Sequence, residues 1–258
     1  MKTLINQAMR NCSAIFSSLL FYIVIAVSCN TAYQPQSVKF VDYSINRSGK
    51  SDSSFTRLLQ PYADSVNKSM NEVVVLSEVD LEKKQPECNL GNIMADAMLA
   101  KAKELYKTNV DLAVVNYGGI RATSFPAGAL TMGKVFELCP FDNVMLLLKL
   151  DGKTLQSFLD HISARGGWPV AGAQWQIQNK KAAAVLIGGK PLNANDTYTM
   201  TVVDYVANGG DDCTMLRGIP QINNGSLYRD ALMAYFAAIH QQGKKIAPKI
   251  ENRVTNAE

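Results

Sequence analysis

The sequence is short of cysteine, histidine and excess charge, and each shortage excludes a class of protein. Its five cysteines, at positions 12, 29, 88, 139 and 213 of 258 residues, are too scattered for a disulfide scaffold. They also form no Cys-x-x-Cys or Cys/His spacing of a zinc site. The only histidines are His161 and His240, too few for a histidine-rich metalloenzyme. A formal charge of +4 is too balanced to indicate a nucleic-acid partner.

The composition that remains is that of a globular protein. Hydrophobic residues make up 47% of the chain and charged residues 19%, which excludes disordered and low-complexity classes. Helical and strand patterns interleave without regular β-α-β alternation. The fold class predicted from this pattern is α+β, built as a single domain.

The N-terminus has the pattern of a secretion signal. Lys2 and Arg10 precede an apolar run from Ala14 to Val27, whose 14 residues are too few to span a bilayer but suit a signal-peptide core. Small residues then lead to Cys29, and this segment resembles a bacterial lipoprotein processing site. We therefore predict that Cys29 carries lipid. An ordinary secretory signal and an uncleaved anchor are the alternatives.

Cleavage before Cys29 divides the chain into three predicted parts. Residues 1–28 are the lipoprotein-type signal peptide, residues 29–37 a short polar tether, and residues 38–258 the folded domain. We expect the domain to be extracytoplasmic and held near a membrane, in the periplasm or at the cell surface. Its three remaining cysteines permit at most one disulfide, and three partly buried thiols are the favoured interpretation.

Local patterns predict the main helices and strands. Alternation over Ser37–Ile45 predicts a strand, and apolar spacing over Ser53–Met70 predicts a helix that Pro61 kinks or divides. Asn89 is predicted to cap the next helix, and a Thr cap to open a short helix over Thr131–Glu137. Further elements are predicted over 72–81, 110–116, 144–150, 155–162, 174–178, 184–187, 197–204 and 227–239, with an extended segment over 244–254.

Four loops concentrate Gly, Asn, Asp, Arg and aromatic residues at strand ends, where binding sites commonly lie. Each alone has an ordinary explanation as a turn, a solvated loop or a core aromatic. The four loops are Glu87–Asn92, Asn116–Arg121, Cys139–Asn143 and Asp204–Asp212.

Together these segments resemble a known family. N-x-G-G-I-R from Asn116, G-x-L-T-x-G-x-V-F-E-L-x-P-F-D-N from Gly128 and D-Y-V-A-N-G-G-D from Asp204 are similar to the C-terminal domain of 5′-nucleotidases and UDP-sugar hydrolases. E-x-N-L-G-N-I-M-A-D-A-M from Glu87 and the ending Pro248–Val254 fit the same domain. The resemblance covers residues 38 to 254. It implies a layered α/β/β/α arrangement with mixed sheets that binds the nucleoside part of a substrate.

The resemblance also implies roles for individual residues. Phe141 and Tyr205 would sandwich the base, and such stacking tolerates different bases because each has a π face. Asp211 would accept hydrogen bonds from the ribose hydroxyls. Arg121 would reach the phosphate or the ribose, and Asn116 would contact the substrate near the base.

Four residues at three places in the sequence depart from the family pattern. Lys84 stands near the place of an arginine, and lysine presents a point charge where arginine presents a fork. Tyr117 occupies a position that is usually small, and Asp212-Cys213 replaces a glycine and an aromatic residue. These departures bear on ligand identity more than on the fold.

Hydrolysis in this family belongs to a metallophosphatase domain that holds two metal ions through Asp-x-His and Asn-His-Asp/Glu segments. Neither segment occurs in these 258 residues, and no Gly-x-Ser-x-Gly elbow is present. We therefore expect no catalytic residue, metal ligand or cofactor in this chain, with divalent metals only in a partner catalytic domain. His161 and His240, both on predicted helices, are assigned structural or surface roles.

Three interpretations of function follow. The favoured one is a nucleotide- or nucleoside-binding subunit that presents substrate to a separate metallophosphatase in nucleotide catabolism. The second is a stand-alone binding lipoprotein. The third is a degenerate module with a structural or interaction role.

Overall fold

The computed structural model describes residues 37, 39–42 and 52–257. The predicted signal peptide, Cys29 and residues 29–36 of the tether lie outside the described residues. Residues 39–42 are exposed and have no regular secondary structure, so the strand predicted over Ser37–Ile45 is wrong for this part. Phe40 is 89% exposed, which shows that the alternation of apolar and polar residues does not mark a buried face here.

The described residues form six α-helices and thirteen strands. The helices are α1 Ser53–Met70, α2 Asn89–Tyr106, α3 Met132–Leu138, α4 Gly152–Ala164, α5 Asp204–Ala207 and α6 Tyr228–Gln241. The strands are β1 Val73–Ser77, β2 Leu81–Glu82, β3 Leu112–Val114, β4 Ser124–Phe125, β5 Gly128–Thr131, β6 Val144–Asp151, β7 Val170–Ala171, β8 Ala173–Gln178, β9 Lys181–Ile187, β10 Lys190–Pro191, β11 Thr197–Val203, β12 Gln221–Leu227 and β13 Val254–Asn256.

The helix boundaries follow from local capping. Helix α1 has the predicted bounds, but it runs continuously through Pro61. Thr131 caps α3 as predicted, because its hydroxyl accepts from the backbone N–H of Lys134. The cap of α2 is Cys88, one residue earlier than predicted, and its sulfur lies 3.2 Å from the Gly91 nitrogen.

The largest sheet has five strands in the order β12-β6-β11-β3-β7. Strand β11 runs parallel to β3 and antiparallel to β6, so this sheet is mixed. A second mixed sheet has the order β10-β9-β8-β13, with β13 parallel to β8. Two small antiparallel pairs, β1-β5 and β2-β4, complete the strands. The predicted α+β class with mixed sheets is confirmed.

Helix α4 joins the two larger sheets. Its buried face carries Leu155 and Phe158 into the core. The helix is also tied to the second sheet, because the buried Ser163 hydroxyl accepts a hydrogen bond from the Trp175 indole at 2.9 Å. Asp160 on the same helix accepts from the backbone N–H of Ala182 at 3.0 Å. These two bonds fix α4 against the second sheet.

The cysteines in the described residues are not bonded to each other. Cys88, Cys139 and Cys213 are buried free thiols, so the favoured interpretation of their state is confirmed. Burial raises the pKa of Cys139 to about 11 and that of Cys213 to about 12. Among the described helices, none is long and apolar enough to cross a membrane.

Candidate functional site

One edge of the five-stranded sheet gathers three of the loops singled out by the sequence. The parallel strands β3 and β11 both end at this edge, and the antiparallel β6 begins there. The segments Asn116–Arg121, Cys139–Asn143 and Asp204–Asp212 therefore meet, although they are distant in the sequence. Side chains at the carboxyl ends of neighbouring parallel strands are a common place for ligand binding.

A cavity of about 320 Å³ lies between these loops. Five residues predicted from the sequence to contact substrate line it, and Asn143 and two glycines complete the wall. The lining residues are Asn116, Gly118, Gly119, Arg121, Phe141, Asn143, Tyr205 and Asp211. The volume falls in the range of small-ligand sites.

Phe141 stands at the cavity mouth on an anchored loop. Its side chain is 44% exposed, which argues against a role as a core aromatic. The buried Arg229 holds the loop by donating to the carbonyl oxygen of Pro140 at 3.0 Å and by pairing with the Asp142 carboxylate. Arg229 itself stacks over the Phe136 ring at 4.2 Å. The ring of Phe141 is thus presented to solvent by a rigid support.

Tyr205 forms another part of the wall, and its ring rests on a glycine. A Cβ on Gly210 would lie only 2.5 Å from Cζ of Tyr205, so the second glycine of the Gly-Gly pair is needed for this approach. The Tyr205 hydroxyl donates to Asp211 Oδ1 at 3.1 Å and accepts from the Asp211 backbone N–H at 3.2 Å. In the described part of the chain, Tyr205 and Phe141 make no direct ring contact.

Asp211 links the Tyr205 loop to the loop after β3. Its Oδ2 accepts from the Asn116 amide nitrogen at 3.1 Å. A Cβ on Gly119 would lie 2.6 Å from Asn116 Oδ1, so that glycine leaves room for the amide. An ionised carboxylate only accepts hydrogen bonds, so Asp211 suits a ligand that brings hydroxyl donors.

The positive charge beside the cavity comes from Arg121 and Lys83. Arg121 is exposed, lies 5.8 Å from the Phe141 ring centroid and donates to the Gly118 carbonyl at 3.3 Å. Lys83 donates to the Ile120 carbonyl at 2.7 Å and lies 4.0 Å from the Tyr117 ring centroid. Burial, and after it the charge of Arg121, lowers the pKa of Lys83.

Lys84 lies outside the cavity lining. It pairs with Glu82 at 2.8 Å, and its side chain is 72% exposed. Adjacent side chains of an extended segment point to opposite sides. The sequence alone could not tell which of the two neighbouring lysines lies beside the cavity. The backbone N–H of Lys83 donates to the Thr123 carbonyl and so continues the β2-β4 pairing. Lys83 is therefore the lysine whose charge lies beside Arg121.

The loop that contains the unusual Asp212-Cys213 pair contacts residues of helix α4 and its C-terminal cap. Arg165, which caps the C-terminus of α4, pairs with the Asp212 carboxylate at 2.6 Å, and Cys213 is fully buried. His161, one turn earlier on α4, lies with Nε2 2.8 Å from the Asp211 carbonyl oxygen. Sequence reasoning had no signal for this contact, because it joins positions 50 residues apart.

Within the described residues, no group of three or more His, Cys, Asp or Glu side chains is arranged to hold a metal ion. The side chains that line the cavity are two half-exposed aromatic rings, one carboxylate, two amides and one guanidinium. These groups can bind a planar ring that carries hydroxyl and anionic substituents.

Comparison with known proteins identifies similar sequences and structures. Residues 65–218 match the family model described as 5′-nucleotidase, C-terminal domain. A 5′-nucleotidase of Vibrio vulnificus is 29% identical over 197 residues, a match that covers 72% of this chain and 34% of that protein. The trifunctional nucleotide phosphoesterase protein YfkN of Bacillus subtilis is 31% identical over 221 residues, covering 76% of this chain and 14% of that protein.

Solved structures are also similar to this chain. The 5′-nucleotidase precursor of Thermus thermophilus matches with a TM-score of 0.68 and 28% identity, over 80% of this chain and 44% of that chain. The chain therefore spans about one third of the length of the Vibrio relative and less than half of the Thermus one. The resemblance inferred from the motifs is confirmed over residues 65–218, a narrower range than 38–254.

Proposed function

The chain belongs to the 5′-nucleotidase C-terminal domain family, and on this premise we propose that it binds the nucleoside part of a nucleotide for a metallophosphatase. The observation that carries the proposal is the cavity that brings Phe141, Tyr205, Asp211, Arg121 and Asn116 together. Each of these residues has the chemistry that one part of a nucleotide requires.

The base would lie between Phe141 and Tyr205. Both rings border the cavity and are about half exposed, at 44% and 47%, so each has a face available for stacking. The ribose hydroxyls would donate to Asp211, and Asn116 would contact the ligand beside it. Arg121 would then face the phosphate side, where a guanidinium can bind in bidentate fashion.

The expected affinity is modest. Stacking contributes roughly 1–3 kcal/mol per ring and discriminates poorly between bases. Association costs about 4 kcal/mol or more in lost translation and rotation. The polar groups must supply what remains, so we expect dissociation constants of about 1 μM to 1 mM, equivalent to roughly 4–8 kcal/mol.

Hydrolysis would take place on a separate metallophosphatase subunit. Its two metal ions would generate the nucleophile and stabilise the leaving oxygen. The contribution of this chain would be to bind and orient the nucleoside. Such a complex would hydrolyse extracytoplasmic nucleotides as a step of nucleotide catabolism.

The location would be extracytoplasmic and membrane-anchored, in the periplasm or at the cell surface. The apolar run that ends at Val27, followed by Ser28 and Cys29, supports lipidation of Cys29. Expression of the native precursor and of Cys29→Ala in a bacterium that processes lipoproteins tests this. The native form should fractionate with membranes and the variant should not. Equal partition of the two forms between the membrane and soluble fractions would contradict a lipid anchor on Cys29.

Calorimetric titration with adenosine and AMP, followed by phosphate release with and without the metallophosphatase, tests the proposed function. The purified chain should bind both ligands and release no phosphate from AMP with added Mn²⁺, Zn²⁺ or Co²⁺. Metal-dependent turnover by the repurified chain alone would contradict the division of labour. Binding without any effect on the phosphatase would favour a stand-alone binder, and absence of binding a structural or interaction module.

A further inference from the structure

The loop that carries Asp211 has an unfavourable backbone conformation. Asp211 has φ 50° and Asp212 has φ 58°, so two successive residues with side chains adopt the left-handed region that normally favours glycine. Such a conformation persists only where the surroundings hold it. The position of the Asp211 carboxylate therefore depends on what fixes this loop from outside.

Helix α4 supplies a support on the side away from the cavity. His161 Nε2 lies 2.8 Å from the main-chain carbonyl oxygen of Asp211, and the contact is partly buried. Arg165, one turn further along, reaches the Asp212 carboxylate. Because α4 is hydrogen-bonded to the second sheet through Ser163 and Asp160, this support is rigid.

The surrounding hydrogen bonds indicate which nitrogen of His161 carries the proton. Nε2 faces both the Asp211 carbonyl, an acceptor, and Arg165 Nε, a donor, at 3.0 Å. One nitrogen cannot serve both, because it has either an N–H or a lone pair. The contact of Nε2 with the Asp211 carbonyl, at 2.8 Å, is shorter than its contact with Arg165. Arg165 also has another partner, the Asp212 carboxylate. We therefore assign the proton to Nε2, which donates to Asp211.

We infer that His161 is a positioning residue: it fixes the backbone of Asp211 from behind and so aims the carboxylate at the hydroxyl pair of a bound sugar. The inference rests on the proposed function, and it deepens it by naming a residue that does not touch the ligand. It predicts that His161 controls recognition of the sugar and leaves recognition of the base unchanged. It also gives a specific role to a histidine for which the sequence predicted only a structural or surface one.

Two ligands that differ only in the sugar separate these effects. Adenosine has both ribose hydroxyls, and 2′,3′-dideoxyadenosine has neither, while the base is the same. Both are titrated into the wild type and into His161→Leu, His161→Asn and His161→Gln. The Leu variant has no donor, the Asn amide is too short to reach, and the Gln amide can place a donor near the site of Nε2. His240→Leu, at the exposed end of α6, is the matched control.

We expect His161→Leu and His161→Asn to weaken adenosine binding about five-fold, the equivalent of one hydrogen bond. Their binding of 2′,3′-dideoxyadenosine should stay within about two-fold of the wild type, since no donor reaches Asp211. His161→Gln should recover most of the adenosine affinity. His240→Leu should change neither ligand. Thermal melts identify a variant that has failed to fold, and the Asn and Leu variants give two independent chances of a folded one.

Three results would overturn the inference alone, with the proposed function intact. They are an equal loss for both ligands, unchanged adenosine binding in the folded Leu and Asn variants, and an adenosine loss that Gln does not reverse. If the wild type binds neither ligand, the proposed function is contradicted, and the inference that rests on it is contradicted as well. The wild-type titration therefore separates the two failures.

Discussion

Arg253 and Arg121 both belong to motif segments, yet the structure uses them in opposite ways. Arg253 is 11% exposed and its N–H groups are fully used: Asp96 accepts at 2.7 and 2.9 Å, Glu251 at 2.9 and 2.8 Å, and the Val170 carbonyl at 2.9 Å. Arg121 is exposed, with one bond at 3.3 Å to the Gly118 carbonyl and a ring contact with Phe141.

The difference separates structural polar clusters from those available to a ligand. Glu87 shares the saturated environment of Arg253, since it accepts from the Asn92 amide and from the backbone N–H groups of Glu251 and Arg253. A buried charge with all its partners present stabilises one conformation and has no capacity for a ligand. Around the cavity, by contrast, two rings and a guanidinium remain largely exposed. Motif membership alone cannot distinguish the two roles.

Exchange of the two arginines for uncharged residues should separate the roles most strongly. Arg253→Met leaves Asp96, Glu251 and the Val170 carbonyl without their donor. Because both carboxylates are partly exposed, at 36% and 55%, the loss should be about 1–3 kcal/mol of unfolding free energy. Arg121→Met, the matched control, should change stability by less than about 0.5 kcal/mol but weaken AMP binding. Urea unfolding of both variants measures this. Equal stability losses would erase the distinction between the two clusters.

Removal of the Phe141 ring tests whether a residue of the cavity contributes to ligand binding and not to stability. Phe141→Ala should weaken adenosine binding by about 1–3 kcal/mol. It should leave the melting temperature nearly unchanged, because a half-exposed ring fills little core volume. Phe40→Ala, another exposed phenylalanine, serves as the control. A stability loss of about 3–5 kcal/mol with unchanged binding would move Phe141 from the site to the core.

The neighbouring lysines provide a smaller contrast. Lys83→Ala should weaken AMP binding about three-fold at low salt, a loss below 1 kcal/mol as expected for a partly exposed charge. Adenosine binding should change less, because it has no phosphate. Lys84→Ala removes a lysine that pairs with Glu82 and should affect neither ligand. Titration at two salt concentrations measures both, and a larger effect of Lys84 would restore the assignment made from sequence.

The buried thiols predict a loss of stability at alkaline pH. Burial raises the pKa of Cys213 in the folded state to about 12 from an unfolded value near 9. Above pH 9 the unfolded chain therefore holds fewer protons than the folded chain, and stability falls as the pH rises. Urea unfolding at pH 8 and 10 should show this decline, reduced in Cys213→Ala. An identical slope in the variant would exclude the thiol as a cause.

The sequence predicted the elements that have strong local signals. The helix over Ser53–Met70 and the cap at Thr131 depend on neighbouring residues and are confirmed. Strand β12, Gln221–Leu227, was missed because its sequence is polar and its pairing with β6 is long-range. The segment over 244–254 was predicted as extended, but regular pairing begins only at Val254.

The candidate site was predicted by resemblance and completed by geometry. The motifs identified five residues that the structure places around one cavity. Contacts between distant segments were beyond sequence reasoning: Arg229 behind the Phe141 loop, His161 behind Asp211, and Lys83 rather than Lys84 beside Arg121. The domain boundaries at 38 and 258, the anchor and the catalytic partner stay predictions.

A crystal structure of the chain with adenosine tests the central claim most directly. The account predicts adenine between the rings of Phe141 and Tyr205, with the ribose hydroxyls within hydrogen-bond distance of the Asp211 carboxylate. Adenosine bound elsewhere, such as in the groove between β1 and α6 that Val73 and Met233 line, would contradict it. So would a ligand in the cavity whose base contacts neither ring.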